Sequence, residues 1–169
     1  MAVAPKTLLI VYHSLTHGTW QMAQAACQGA QAEGSSAVQV QLLHAAQAGP
    51  QQVLAADGYL FATPENLAAI SGQLKDFFDR SYYAALDQVN GRPYASLVCA
   101  GSDGSNAARQ LARIATGWRL RAVAEPLIVC THAQTTEQIL APKRIGKDDL
   151  ERCQALGEAL AAGLALGVF

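Results

Sequence analysis

The chain has 169 residues, of which 51% are apolar and 15% are charged, and its formal net charge is −1. This composition predicts one folded domain over residues 1–169 and excludes an intrinsically disordered chain. The near-neutral charge argues against a nucleic-acid-binding surface, and no apolar run has the length that spans a membrane. Four dispersed cysteines and the absence of a secretory signal pattern predict a cytoplasmic protein with reduced thiols.

Strand-like and helix-like segments alternate along the chain. Continuous apolar runs predict strands buried on both faces, and apolar residues at helical spacing predict amphipathic helices. The predicted strands are residues 7–12, 37–43, 58–62, 94–100 and 127–130, and the predicted helices begin near Trp20, Pro50, Ser71, Ser105 and Lys147. This alternation predicts an α/β fold: a three-layer α/β/α sandwich around a five-stranded parallel sheet of order 2-1-3-4-5. Its ligand crevice lies where the first and third strands end.

The predicted helices carry local signals for their ends and faces. The first helix runs to about Glu33, with Gly34 as its stop signal. Ser71 and Ser105 are predicted N-caps. The helix after Ser71 has one buried face, formed by Leu74, Phe77, Phe78, Ser81 and Tyr82. Its wet face carries two i,i+4 ion pairs, Lys75–Asp79 and Asp76–Arg80.

The loop after the first predicted strand is rich in hydroxyl side chains. It reads Ser14-Leu15-Thr16-His17-Gly18-Thr19 and leads into the first predicted helix. Unpaired N–H groups and the helix dipole favour an anion at such a helix start. No lysine or arginine lies between Lys6 and Lys75, so neutral donors would hold a phosphate here. The same residues are also typical of an ordinary N-cap without a ligand.

Two common nucleotide-binding motifs are absent from this loop. Neither G-x-x-x-x-G-K-[ST] nor G-x-G-x-x-G occurs in the chain, and a single phosphate monoester fits the hydroxyl loop better. Here the chain resembles the flavodoxin-like flavoproteins, whose loop reads roughly [ST]-x-T-G-x-T. In this chain the glycine, Gly18, comes one position later. The resemblance implies that the phosphate of FMN is bound by Ser14, Thr16, His17, Gly18 and Thr19.

A second loop carries a more specific resemblance. Residues 63–75 read TPENLAAISGQLK and are similar to the P-E-Y-N-G-S-I-P-G-x-L-K stretch of the NAD(P)H-dependent FMN reductases. In that family this stretch runs along the flavin ring, which implies contacts from Thr63, Pro64, Glu65 and Asn66. Asn66 and Leu67 stand where the family has tyrosine and asparagine, so an aromatic that stacks on the flavin is missing. Without the resemblance, the segment is a plain loop that a proline makes rigid.

A glycine-rich loop follows the fourth predicted strand. Its two glycines permit close backbone approach. In flavodoxin-like proteins this loop cradles the other side of the ring, which implies contacts from Gly101, Ser102, Asp103 and Gly104. The alternative is a glycine turn before a helix that Ser105 caps. Ser102 does not lie in a G-x-S-x-G motif and is not predicted to be a nucleophile.

Other polar residues near this edge have two interpretations each. Residues 131–146 carry Lys143 and Arg144, which either receive the phosphate of a nicotinamide cofactor or form a solvated face with Lys147. His13 and His17 lie on a loop without acidic or cysteine partners, so no metal site is predicted. The thiols that end neighbouring strands, Cys99 and Cys130, are interpreted as small buried hydrophobes near the crevice.

The resemblance implies a single flavodoxin-like domain that binds FMN. The main functional hypothesis is NAD(P)H-dependent reduction of a flavin, a quinone or another small acceptor, with hydride passing through the flavin. The alternatives are a flavodoxin-type electron carrier with a redox partner protein, and a binding module without FMN. The low net charge counts against the carrier, because carriers use charge to steer docking. No nucleic-acid partner, no membrane partner and no catalytic side chain is predicted. A homo-oligomer is possible, and the sequence does not distinguish NADH from NADPH.

Overall fold

The computed structural model describes residues 4–32 and 36–169. The strands of this part of the chain are β1 (Lys6–Tyr12), β2 (Val38–His44), β3 (Gly58–Asn66), β4 (Ala69–Ile70), β5 (Pro93–Ala100), β6 (Arg121–Ala122) and β7 (Leu127–Cys130). The helices are α1 (Gly18–Ala32), α2 (Pro50–Ala55), α3 (Gly72–Ala85), α4 (Ser105–Gly117), α5 (Thr136–Leu140) and α6 (Lys147–Leu166). None of these helices combines the length and apolarity needed to cross a bilayer.

Parallel pairing joins the five longer strands in the order β2-β1-β3-β5-β7. This is the predicted order 2-1-3-4-5, so the predicted α/β fold is confirmed. Two strands of two residues were not predicted: β6 pairs with the start of β5, and β4 pairs antiparallel with the end of β3. Both are too short to produce a hydrophobic pattern in the sequence.

Helices cover both faces of the sheet. α1 and α6 pack on one face, and α2, α3 and α4 pack on the other. Successive strand side chains point to opposite faces. Accordingly, Leu8 and Ile10 of β1 face α1 and α6, while Leu9 and Val11 face the other three helices.

Helix α1 is held in close contact with α6. A Cβ on Gly157 would lie 1.8 Å from the carbonyl oxygen of Ala26, and a Cβ on Gly29 would lie 1.9 Å from that of Gln154. Only glycine permits the two backbones to approach this closely. The crossing therefore fixes where the N-terminus of α1 lies at the edge of the sheet.

Most predicted helix ends and ion pairs are found in the structure. α1 starts at Gly18, two residues before the predicted start, and the predicted stop at residues 33–34 lies outside the described residues. Ser71 caps α3, since its Oγ accepts from the Leu74 N–H at 3.3 Å. The two ion pairs of α3 form at 2.7 Å and 2.6 Å. The predicted burial of Tyr82 is wrong, because its side chain is 39% exposed and Ala85 is buried instead.

Two segments that the sequence left irregular contain regular structure. Residues 63–70 form the end of β3, a tight turn and β4. Residues 131–146 contain the short helix α5, which Thr135 caps by accepting from the Gln138 N–H at 3.2 Å. Both segments lie at the carboxyl edge of the sheet, beside the predicted crevice.

Candidate functional site

A cavity of about 360 Å³ opens at the carboxyl ends of β1, β3 and β5. Its volume falls in the range of small-molecule binding sites. Four segments line it: the β1–α1 loop, the β3–β4 hairpin, the β5–α4 loop and the segment from Thr131 to Lys143. The structure thus brings all four segments that the sequence placed at this edge together at the switch point of the sheet.

Most of the predicted site residues line this cavity, namely Ser14, Thr16, Gly18, Thr19, Pro64, Glu65, Asn66, Gly101 and Ser102. Four others do not: His17, Thr63, Asp103 and Gly104. His17 has a φ of 69° and lines a second cavity of about 250 Å³. Tyr12, Trp20 and His44 also line that second cavity.

Hydroxyl groups at the start of α1 are buried without partners. Within the described residues, Ser14 Oγ and Thr19 Oγ1 have no hydrogen-bond partner, and Thr19 is only 1% exposed. A buried polar atom without a partner destabilises a protein, so such atoms are rare and indicate a missing ligand or water. The first turn of a helix adds N–H groups without internal partners. This wall therefore offers a set of neutral donors, which suits a phosphate monoester.

His13 lies directly before this loop and is buried. Its Nδ1 is also unpaired within the described residues, and its ring centroid lies 5.5 Å from that of His44. Burial, and secondarily the nearby charge of His44, lowers the pKa of His13. The environment therefore favours the neutral imidazole.

The β3–β4 hairpin forms the opposite wall of the cavity. Its strands pair at Glu65–Ile70 and Asn66–Ala69, and Leu67 and Ala68 make the turn with φ values of 50° and 63°. Positive φ at both turn positions is typical of the tight turns that match the twist of a hairpin. Such turns usually contain asparagine or glycine. The Leu-Ala pair carries no such signal, which is why the sequence did not predict the hairpin.

The Glu65 side chain ties this hairpin to α4. Its two carboxylate oxygens accept from the Gly104 N–H at 3.0 Å and from the Ala107 N–H at 3.1 Å. The predicted Ser105 cap is wrong, because Gly104 is the N-cap residue and Ser105 is the first residue of the helix. Asp103 accepts from the Ser105 N–H at 3.2 Å and from its hydroxyl at 2.9 Å. The Glu65 carboxylate, although distant in sequence, thus caps α4, and the helix dipole stabilises its negative charge.

Further hydrogen bonds hold the hairpin in place. The fully buried Thr63 accepts from the Ser71 N–H at 3.0 Å and donates to the Pro64 carbonyl at 2.9 Å. Gln110 of α4 accepts from the Ile70 N–H at 2.8 Å. Thr63 therefore supports the hairpin from within the protein, while Pro64 lines the cavity.

Two glycines mark places where the backbone cannot carry a side chain. Gly104 has a φ of 82°, and a Cβ there would lie 2.6 Å from Ile128. A Cβ on Gly18 would lie 2.5 Å from the Sγ of Cys99. Cys99 forms part of the cavity wall, and burial raises the pKa of its thiol to about 11. The prediction of a buried cysteine near the crevice is confirmed for Cys99, whereas Cys130 is only half-buried and lies outside the lining.

The segment after β7 completes the cavity. Lys143 lines it and donates from Nζ to the carbonyl oxygens of Ile139 and Ala141 at 2.8 Å and 2.6 Å. The apolar side chains of Ile139 and Leu140 stand exposed beside the opening. No motif in the sequence indicated these two residues. Among the described residues, no aromatic side chain lines the cavity, and no three potential metal ligands come together.

This sheet order, with a hydroxyl-lined cavity at its switch point, defines a flavodoxin-like fold. A flavodoxin from the domain Archaea shares the fold with a TM-score of 0.74 and 16% identity, over 94% of this chain and 98% of that one. A WrbA-like flavodoxin from Agrobacterium tumefaciens matches with a TM-score of 0.67 and 20% identity, over 95% of this chain and 98% of that one.

The chain belongs to the NADPH-dependent FMN reductase family, whose model matches residues 41–135. A flavodoxin from Aquifex aeolicus (strain VF5) is 31% identical over 96 residues. That match covers 56% of this chain and 48% of the relative, so the chain matches about half the length of this curated protein. The family match confirms FMN as the predicted flavin. It also confirms the resemblance drawn from residues 63–75.

Proposed function

We propose that this protein is an FMN-dependent enzyme that catalyses NADPH-dependent two-electron reduction of a small acceptor, such as a free flavin or a quinone. One observation carries the proposal: a single cavity joins the unpaired hydroxyls of Ser14 and Thr19 to a wall of hydrogen-bonded backbone. FMN, when bound, supplies the hydride chemistry, and the protein supplies binding, orientation and a shaped opening.

The β1–α1 loop holds the phosphate in this proposal. Ser14, Thr16 and Thr19 donate from their hydroxyls, and the N–H groups of the first turn of α1 donate beside them. The close approach of Gly18 to Cys99 supports a need for glycine in this loop, since a Cβ would lie 2.5 Å from the Cys99 Sγ. His17 contributes through its backbone conformation, since its side chain lines the second cavity.

The flavin ring lies against the hairpin and the β5–α4 loop. Pro64, Glu65 and Asn66 contact it on one side, and Gly101 and Ser102 contact it on the other, mainly through backbone groups. Thr63, Asp103 and Gly104 act as positioning residues, because their hydrogen bonds fix the two loops. The apolar side chains of Ile139 and Leu140 exclude water from the opening. Because no aromatic among the described residues lines the cavity, one face of the ring is accessible to a nicotinamide.

Anaerobic reduction tests this proposal. The protein loaded with FMN is mixed with NADPH or with NADH while the visible absorbance of the flavin is followed, and a quinone is then added. We expect NADPH to bleach the flavin and the quinone to restore its colour, with two electrons delivered per nicotinamide. A protein that binds FMN but is reduced by neither nicotinamide is not this enzyme.

A flavodoxin-type electron carrier is the second candidate. The 31% identity to a flavodoxin favours it, as do the exposed side chains of Leu15, Leu67, Ile139 and Leu140, which surround the cavity and suit a redox partner protein. A carrier would show widely separated one-electron reduction potentials and no reduction by nicotinamide. The third possibility, a binding module without FMN, requires that titration with FMN gives no binding.

We also propose that residues 1–169 act as one flavodoxin-like domain in the cytoplasm. A single sheet shared by both hydrophobic clusters supports one domain, and four free cysteines support a reducing compartment. Light scattering on the purified protein distinguishes a monomer from a homo-oligomer.

A further inference from the structure

We propose that Lys143 supplies the positive charge that the phosphate loop lacks, and that it binds the phosphate of FMN. The loop has no lysine or arginine of its own, because none occurs between Lys6 and Lys75. Lys143 is the cationic side chain among the described residues that line the cavity. The inference rests on the proposed binding of FMN and adds a charged partner to the neutral donors.

The backbone of Lys143 is fixed directly to the phosphate loop. Its N–H donates to the Thr16 carbonyl at 2.7 Å. Gln21 of α1 donates to the Lys143 carbonyl at 2.8 Å and accepts from the Ile145 N–H at 3.1 Å. These bonds join residues more than 120 positions apart. The segment after β7 thus lies against the N-terminus of α1.

The side chain of Lys143 packs over the start of α1. Its Cβ and Cγ lie 3.4 Å and 3.6 Å from the position that a Cβ on Gly18 would occupy. Thr19, the next residue, carries the buried hydroxyl without a partner, and it lines the same cavity. The lysine stem and the unpaired donor therefore lie at neighbouring residues of one helix start and line the same cavity.

The ammonium group of Lys143 has a donor left for a ligand. It donates to two neutral carbonyls at the end of α5, those of Ile139 and Ala141, which leaves one of its three donors. Within the described ranges, no carboxylate forms an ion pair with it. Its field reaches the cavity wall, since it opposes the effect of burial on the pKa of Cys99. A phosphate dianion would gain a charge-assisted hydrogen bond here.

This residue lies outside the part of the chain that the family model matches. The match ends at residue 135, so Lys143 is not among the matched residues. A lysine held by a distant segment replaces the local cation that the loop does not have. The predicted consequence is a strong preference for FMN over riboflavin, which has no phosphate.

Binding measurements on Lys143→Gln test the inference. Dissociation constants for FMN and riboflavin are measured by quenching of flavin fluorescence at low and high salt. The control is Arg144→Gln, since Arg144 is the neighbouring cation but lies outside the cavity lining. We expect Lys143→Gln to weaken the binding of FMN by about 10- to 100-fold and to leave the affinity for riboflavin unchanged. We expect Lys143→Arg to retain most of the affinity.

A second readout uses inorganic phosphate and the apoprotein. We expect phosphate to raise the unfolding temperature of the wild type and of Arg144→Gln, and we expect this effect to be lost in Lys143→Gln. Equal losses of FMN and riboflavin affinity would assign Lys143 a structural role and overturn the inference. Unchanged FMN affinity with a raised KM for NADPH would also overturn it while leaving the proposed function intact. A wild type that binds neither flavin would overturn both.

Discussion

The two walls of the cavity differ in how their polar groups are satisfied. On the α1 wall, the Ser14 and Thr19 hydroxyls are buried without partners. On the hairpin wall, Thr63 and Glu65 are hydrogen-bonded within the chain. The first wall carries a loss of stability that a ligand can recover, whereas the second is already rigid. Substitutions on the two walls should therefore change affinity and stability in different proportions.

The family match follows the same division. Residues 41–135 include the hairpin and the β5–α4 loop, but they exclude the phosphate loop and Lys143. The wall proposed to hold the flavin ring is thus the part shared with the family. The wall proposed to hold the phosphate, with the shifted glycine and Lys143, lies outside the matched residues.

The largest effect is expected for Gly18→Ala on the α1 wall. The new Cβ would lie 2.5 Å from the Cys99 sulfur, so the loop or the strand must shift and the donors lose their alignment. We expect FMN affinity to fall by about 100-fold, as measured by titration. The control is Gly72→Ala at the start of α3, where a Cβ meets nothing within 4 Å. Equal affinity in the two variants would contradict this account.

The next largest effect is expected for Glu65→Ala, which removes the hydrogen bonds between the hairpin and α4. Two N–H groups at the start of α4 lose their acceptor, so the free energy of unfolding should fall by about 1–3 kcal/mol. Urea denaturation measures the change. Glu125→Ala, at an exposed position, should leave stability unchanged. If both variants are as stable as the wild type, Glu65 does not brace the wall.

Replacing a threonine by valine on each wall should have opposite effects on stability. Thr19→Val removes an unpaired hydroxyl, so FMN affinity should fall by about tenfold while the apoprotein stays at least as stable. Thr63→Val removes a hydroxyl with two partners, so the apoprotein should lose stability. Thermal unfolding and FMN titration of both variants measure this reversal. The same pattern in both variants would show that the walls do not differ.

The smallest effect concerns pH and His13. Burial and the charge of His44 lower its pKa in the folded protein, so the unfolded chain binds the proton first, near pH 6.5. The stabilisation is therefore present above pH 6.5 and is lost as the pH falls from there towards the lowered pKa. Thermal unfolding of the apoprotein across this range should show the loss, and His13→Asn should reduce it. A wild type and variant with identical profiles would contradict the prediction.

Local sequence patterns were sufficient to predict the strand order, the Ser71 cap, the ion pairs of α3 and the four segments that meet at the cavity. Each depends on local periodicity, on a capping residue within one turn, or on the rule that carboxyl ends of parallel strands share an edge. The Tyr82 face was predicted wrongly, because helical spacing alone does not say how wide a buried face is.

Three features depend on the tertiary structure and could not be predicted from local sequence. They are the Glu65 cap on α4, the position of Lys143 over the phosphate loop, and the turn of the β3–β4 hairpin. Glu65 contacts residues about 40 positions away, and Lys143 contacts a helix more than 120 positions away. Such partners leave no periodic signal, because their meeting depends on how the sheet brings loop ends together. The turn at Leu67 and Ala68 lacks turn-forming residues, so long-range bonds to α4 hold it in place of local preference.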